Sequence, residues 1–223
     1  MRTSRKKGTK SRASRLTRTR LLLLVGAIIA VVVIAVAYLL NRPTVTPTSS
    51  TIVFNFDTGL PVLTEAQSTP LTQTSNGLTV NFSSPSDPAA FSVKNLSNSS
   101  MNLSQFSGKY LYDNKPSRDI LDIKFDTEII NINITFATIE SQSTTIILPS
   151  DIALTAYKDT VFVGQEQTYG SFSEDTYPQG TLSFRAARPF NWVRITVPTQ
   201  TSGTTDFLVD NISVKLAYGS STP

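Results

Sequence analysis

Ile129-Ile130-Asn131-Ile132-Asn133-Ile134-Thr135-Phe136 is the stretch that decides the fold. Ile130, Ile132, Ile134 and Phe136 share one parity, and Asn131, Asn133 and Thr135 share the other. Successive side chains of a strand point to opposite faces, so this alternation buries one face and wets the other. The same period runs outward in both directions. Leu121, Ile123 and Phe125 alternate with Asp122 and Lys124, and Ile152, Leu154 and Ala156 alternate with Ala153 and Thr155. Further on, Val193, Ile195 and Val197 alternate with Arg194 and Thr196. Turn residues punctuate these runs at Asn76-Gly77, Ser107-Gly108, Gly164, Gly170 and Gly180. No helical period is sustained over ten residues after Leu40. Many short strands with regular turns predict an all-β sandwich of two antiparallel sheets over residues 51–218.

Before that domain the chemistry changes. Leu21 to Leu40 is twenty residues without a charge, long enough as a helix to cross a hydrocarbon core of roughly 30 Å. Nine Lys and Arg lie between Arg2 and Arg20, which places the N-terminus in the cytoplasm by the positive-inside rule. The chain therefore divides into a basic cytoplasmic tail (1–20), a transmembrane helix (21–40), a Pro/Thr/Ser stalk (41–50), the sandwich (51–218) and a polar tail (219–223). Ala35-Val36-Ala37 has the small-x-small pattern of a signal-peptide cleavage site, the competing reading. The apolar run starts after a long basic region and continues through Tyr38-Leu39-Leu40, which favours an uncleaved signal anchor.

This asymmetry changes what the net charge of +4 means. Residues 1–42 hold ten of the 20 basic residues and no acid, which leaves 10 basic against all 16 acidic residues beyond them. The outer part carries about −6, so nucleic acid is excluded as its partner. With no cysteine there is no disulfide framework and no thiol nucleophile. Absence of histidine removes the Ser-His-Asp triad and His-based zinc sites. An exported domain without disulfides must be held by its own core, which fits a prokaryotic surface.

The domain opens on Ile52-Val53-Phe54-Asn55-Phe56-Asp57 and closes on Phe207-Leu208-Val209-Asp210-Asn211-Ile212-Ser213-Val214. With Ser107-Gly108-Lys109-Tyr110-Leu111 and Pro189-Phe190-Asn191-Trp192-Val193 between them, this pair resembles the jelly-roll carbohydrate-binding modules of the galactose-binding-like group, and related single-domain surface proteins of bacteria and archaea. The resemblance implies a jelly roll with first and last strands adjacent. It also implies a structural calcium ion, with Asp57 and Asp210 as ligands. One local feature agrees with the second position. Phe207 and Val209 alternate one way and Ile212, Val214 and Leu216 the other, so a β-bulge is predicted between Val209 and Ile212.

Sugar-binding faces combine aromatic rings, which stack on pyranoses, with amides, carboxylates and guanidinium groups that bond hydroxyls. The predicted ligand-binding residues are Trp192, Arg194, Tyr110 and Tyr112; Tyr157, Tyr169, Tyr177, Asn191, Arg185 and Arg188 are further candidates. Trp192 and Arg194 fall opposite Val193 and Ile195, off the core face. A core position is the bland alternative for a lone Trp. The acids Asp119, Asp122, Asp126 and Glu128 read equally as a cation site or a solvated strand face. No short motif couples two carboxylates for glycoside hydrolysis, so no catalytic activity is expected. Asn-x-Ser/Thr acceptors occur at Asn81, Asn95, Asn98, Asn102, Asn133 and Asn211, and Asn95 to Ser104 reads as a polar surface loop. The expected function is a membrane-anchored, extracytoplasmic binding module for carbohydrate. The alternative is a structural or adhesive surface protein that holds an envelope protein.

Overall fold

A computed structural model describes residues 51–114, 119–140, 151–171, 175–198 and 204–217. The basic tail, the predicted transmembrane helix and the stalk lie outside these residues. Among the described residues no helix is long and apolar enough to cross a membrane. Ten strands account for most of them: β1 (Thr51–Phe54), β2 (Leu71–Ser75), β3 (Leu78–Ser83), β4 (Phe91–Asn95), β5 (Lys109–Asp113), β6 (Leu121–Glu140), β7 (Asp151–Lys158), β8 (Val161–Tyr169), β9 (Gln179–Thr196) and β10 (Thr204–Leu216).

Two of these strands are far longer than the usual 3–10 residues, and both bend. β6 and β9 pair antiparallel from Leu121↔Ile195 to Lys124↔Trp192, lose register, and resume at Ile129↔Phe190 and Asn131↔Arg185. Pro189 lies in the interruption, where its missing N–H costs no ladder bond. On one side of the bend β6 pairs with β3, which pairs with β2. There β9 pairs with β7, and β7 with β8. On the other side β6 pairs with β10, and β10 with β5, which carries β4. One hydrogen-bonded network thus folds over into two layers.

The core lies between the layers. Phe54 of β1 meets Phe125 at 6.4 Å, and Phe56 meets Phe82 at 5.3 Å between ring centroids. Each fully buried ring of this kind contributes about 1.5–3 kcal/mol over an exposed one. Val193, Ile195, Leu121, Ile123, Leu154 and Ala156 all face inward, as their alternation predicted. The deciding stretch departs at one position. Ile129 is buried and Ile130 only half-buried, because the register shifts between Ile129 and Asn131. Ile132, Ile134 and Phe136 keep the expected face.

The predicted turns divide in two. Asn76-Gly77 closes the β2–β3 hairpin with both residues at positive φ, 48° and 80°. Gly164 and Gly180 make no turn. They sit inside β8 and β9, where an added Cβ would lie 2.9 Å from the Phe184 ring and 3.0 Å from the Phe136 ring. Glycine there admits a neighbouring aromatic ring rather than a change of direction.

Along its outer side β10 is shared. Leu208 and Val209 pair with Tyr112 and Leu111 of β5, while Ile212 to Lys215 pair with Phe54 to Thr51 of β1. The seam falls at Asp210-Asn211, where the register shifts and Asn211 takes φ 43°. This is the predicted bulge, and β1 and β10 are the predicted adjacent terminal strands. A second, smaller core packs Leu103, Phe106, Tyr110, Ala137 and Leu208 beneath the segment that joins β4 to β5.

Candidate functional site

The first layer turns its outer face away from the core, and register aligns its side chains into rows. One row runs Asn81, Lys124, Trp192, Tyr157 and Phe162 across β3, β6, β9, β7 and β8. Beside it runs Ser83, Asp122, Arg194, Thr155 and Gln165. Strand alternation places them there, since Val193 and Ile195 must point inward. The aromatic members touch in series. Trp192 stacks on Tyr157 with centroids 4.5 Å apart, and Tyr157 meets Phe162 edge-on at 6.3 Å. Phe162 is 53% exposed and Val161 64% exposed at the start of β8. Next to the rings lies a depression of about 280 Å³ lined by Ala153, Leu154, Thr155, Gln165, Glu166 and Gln167.

Trp192 therefore lies off the core face as expected, but it offers no free platform. Tyr157 covers it by stacking, Lys124 Nζ lies 4.8 Å from the ring centroid and the Arg194 guanidinium 5.1 Å. Its Nε1 is buried and finds no acceptor among the described residues. Arg194 is likewise committed. Nε and Nη2 donate to the two oxygens of Asp122 at 2.8 and 2.9 Å, a bidentate pair that raises the guanidinium pKa further. Asn81 and Lys124 are exposed on this face, and so are Phe162, Gln165 and Gln167, which sequence reading did not single out. Val161-Phe162-Val163 carried a signal: apolar residues on both parities of a strand that ends a layer.

Tyr110 corrects the expectation. It is 1% exposed and packs edge-on to Phe106 at 5.8 Å in the second core, where burial raises its phenol pKa. A ring enclosed on all sides presents no face to a sugar. Tyr112, half-buried on the next outward position, packs against the same core, and burial followed by the Asp206 charge raises its phenol. Neither lies on the layer that carries Trp192 and Arg194. The acidic stretch after Asp119 is dispersed too. Asp119 accepts from Ser86, Asp122 from Arg194, Asp126 from the Thr79 amide, and Glu128 pairs with Lys158.

Asp57 and Asp210 do meet. Asp57 follows β1 and Gly108-Lys109 leads into β5, and both ends arrive at the bulge of β10. The Lys109 amide donates to both Asp57 oxygens at 3.1 Å, and the Ser107 amide donates to Asp210 Oδ2 at 2.9 Å. Gly108 bridges them at φ 58°, and a methyl group there would overlap the Asp57 carboxylate. Asp210 is fully buried. Burial pushes its pKa up to about 7 against the two amides that donate to it, and the Asp57 charge adds to the rise. Such a pair fits a hard cation, whose charge would replace the lost hydration. Among the described residues no three acidic side chains converge on a metal position, so carbonyl oxygens would complete the shell.

No family model matches the chain, and no curated protein matches it. Solved structures do. The K2 cleaved adhesin domain of Lys-gingipain is 11% identical, with 76% of this chain and 99% of that chain covered at a TM-score of 0.45. The K1 adhesin domain of Lys-gingipain from Porphyromonas gingivalis W83 is 10% identical over 75% and 99%, at 0.43. CBM35 from Paenibacillus barcinonensis is 20% identical over 64% and 94%, at 0.33. The chain thus resembles carbohydrate-binding modules and adhesin domains. These are likenesses of chain path; what the outer face binds is decided by its side chains.

Proposed function

We propose that this chain is a membrane-anchored, extracytoplasmic module that binds carbohydrate on the outer face of its first layer and does not cleave it. One observation carries the reading. An exposed aromatic row, Phe162 on Tyr157 on Trp192, runs beside the row of Thr155 and Gln165, which with Glu166 and Gln167 line a depression. Apolar ring surface suits the C–H face of a pyranose, and neutral amides and hydroxyls suit its hydroxyl groups. The Asp122–Arg194 pair fixes the floor beside the rings. The twenty apolar residues from Leu21 support the anchor, and the basic flank supports a cytoplasmic N-terminus at the cell membrane.

Calcium belongs to the same proposal as a structural ion. Asp57 and Asp210 would hold it at the seam where β1, β5 and β10 meet, which ties the ends of the domain together. Its part is stability; the sugar face lies on the other layer.

A second reading is favoured by a specific feature. β8 ends the first layer with its outer edge unpaired among the described strands, and Val161, Phe162 and Tyr169 are exposed along it. Such an edge suits an adhesive or structural protein that adds a strand from an envelope protein. A glycan array probed with the full chain in detergent separates the two. Defined oligosaccharides retained on the array support the module; a blank array with an envelope protein in the pull-down supports the adhesive reading.

A further inference from the structure

The six Asn-x-Ser/Thr sequences are not equivalent once they are folded. Asn81 lies in β3, Asn95 in β4, Asn133 in β6 and Asn211 in β10. Asn133 Nδ2 spends its hydrogens on Asn131 Oδ1 at 3.2 Å and Ser213 Oγ at 3.3 Å. Asn211 Nδ2 donates to Asp210 Oδ2, against a buried carboxylate, from a residue held at φ 43°. Asn98 and Asn102 are the two outside strands, and both are exposed.

Their loop is built to present them. Leu96, Met101, Leu103 and Phe106 pack down onto the second core, while Asn98 and Asn102 remain in solvent between them. The Asn102 amide donates to Thr176 Oγ1 at 2.8 Å, and Ser104 donates to Asp175 through its amide and its hydroxyl. Backbone bonds, the Ser104 hydroxyl and the apolar residues thus hold the loop in place. Asn98 Nδ2 makes one bond, to Glu65 Oε2 at 2.8 Å. A glycosylated amide keeps one N–H, so this bond is compatible with modification.

We infer that Asn98 and Asn102 are N-glycosylation sites, and that Asn133 and Asn211 are not. The donor class is a lipid-linked oligosaccharide. Nδ2 attacks the anomeric carbon, the C–N bond forms as the bond to the donor phosphate oxygen breaks, one amide proton passes to a base of the transferase, and the lipid phosphate leaves. The glycans would stand over the second layer, leaving the Phe162 face on the first layer open. The inference rests on the extracytoplasmic placement proposed above.

Peptide mass spectrometry of the full chain from its source membranes tests this, with protease added to intact cells as a parallel topology test. The expected result is oligosaccharide mass on Asn98 and Asn102, bare Asn133 and Asn211, and a domain that external protease removes. In the Asn98→Gln, Asn102→Gln variant, both masses should disappear while the melting temperature stays within about 2 °C, as for surface changes. Bare Asn98 and Asn102 in a protease-accessible domain overturn the glycosylation sites alone. A protected domain overturns them together with the topology. Glycan on Asn133 or Asn211 contradicts the structural selection.

Discussion

At the scale of single residues, charge pairing and burial decide the behaviour. Asp210 is the clearest case, because its folded pKa is raised from 3.8 to about 7. A raised carboxyl pKa means that the native state binds more protons than the unfolded state between those values. The contribution of Asp210 to stability is then full below about pH 4 and falls as pH rises towards 7, at no more than about 1.4 kcal/mol per pH unit. The chain has no histidine to confuse this window. Chelator-treated protein should therefore melt lower at pH 7 than at pH 5, and Asp210→Asn should flatten that slope. If calcium binds here, it should raise the wild-type melt above pH 7 and leave D210N unmoved. An equal melt with and without chelator removes the ion from the account. Arg194→Ala provides a second test, since it leaves Asp122 buried without its partner. The expected cost is about 1–3 kcal/mol in chemical denaturation.

Strands and turns were legible to the extent that local alternation controls them. The faces of β7 and of the second half of β9 followed directly from period two, and so did the bulge at Asp210-Asn211. Ile130 did not, because a bulge set by β9 and Pro189 shifts the face by one residue. Such a shift is invisible within β6 itself. Gly164 and Gly180 were misread for a related reason: glycine marks both turns and close approaches, and only the partner ring distinguishes them. The site was less legible than the fold. Trp192 and Arg194 were placed on the correct face, but the rings and carboxylates that occupy them come from strands distant in sequence. Tyr110 shares its parity with Tyr112, opposite the core residue Leu111, yet a second core covers that side. Gly164→Val tests the close approach. A branched side chain pressed against Phe184 should destabilise by about 1–3 kcal/mol, and a neutral result would show that β8 moves freely against β9.

For the whole molecule, the proposal is an N-terminal membrane anchor followed in sequence by a sandwich whose two outer faces differ. The full chain should fractionate with membranes, while residues 43–223 expressed alone should be soluble and show a β-type circular dichroism spectrum. A mature native N-terminus at Tyr38 would replace the anchor with a cleaved signal. The central claim is that the Phe162 edge and its neighbouring amides form the sugar face. The direct measurement is titration calorimetry of the best array oligosaccharide into the wild-type chain, Phe162→Ala and Gln165→Ala. Phe162 is half exposed, so its loss should leave the melt nearly unchanged while affinity falls about tenfold, equivalent to about 1.4 kcal/mol, with a similar fall for Gln165→Ala. Wild-type affinity in both variants would contradict the account and place the sugar, if any is bound, elsewhere on the domain.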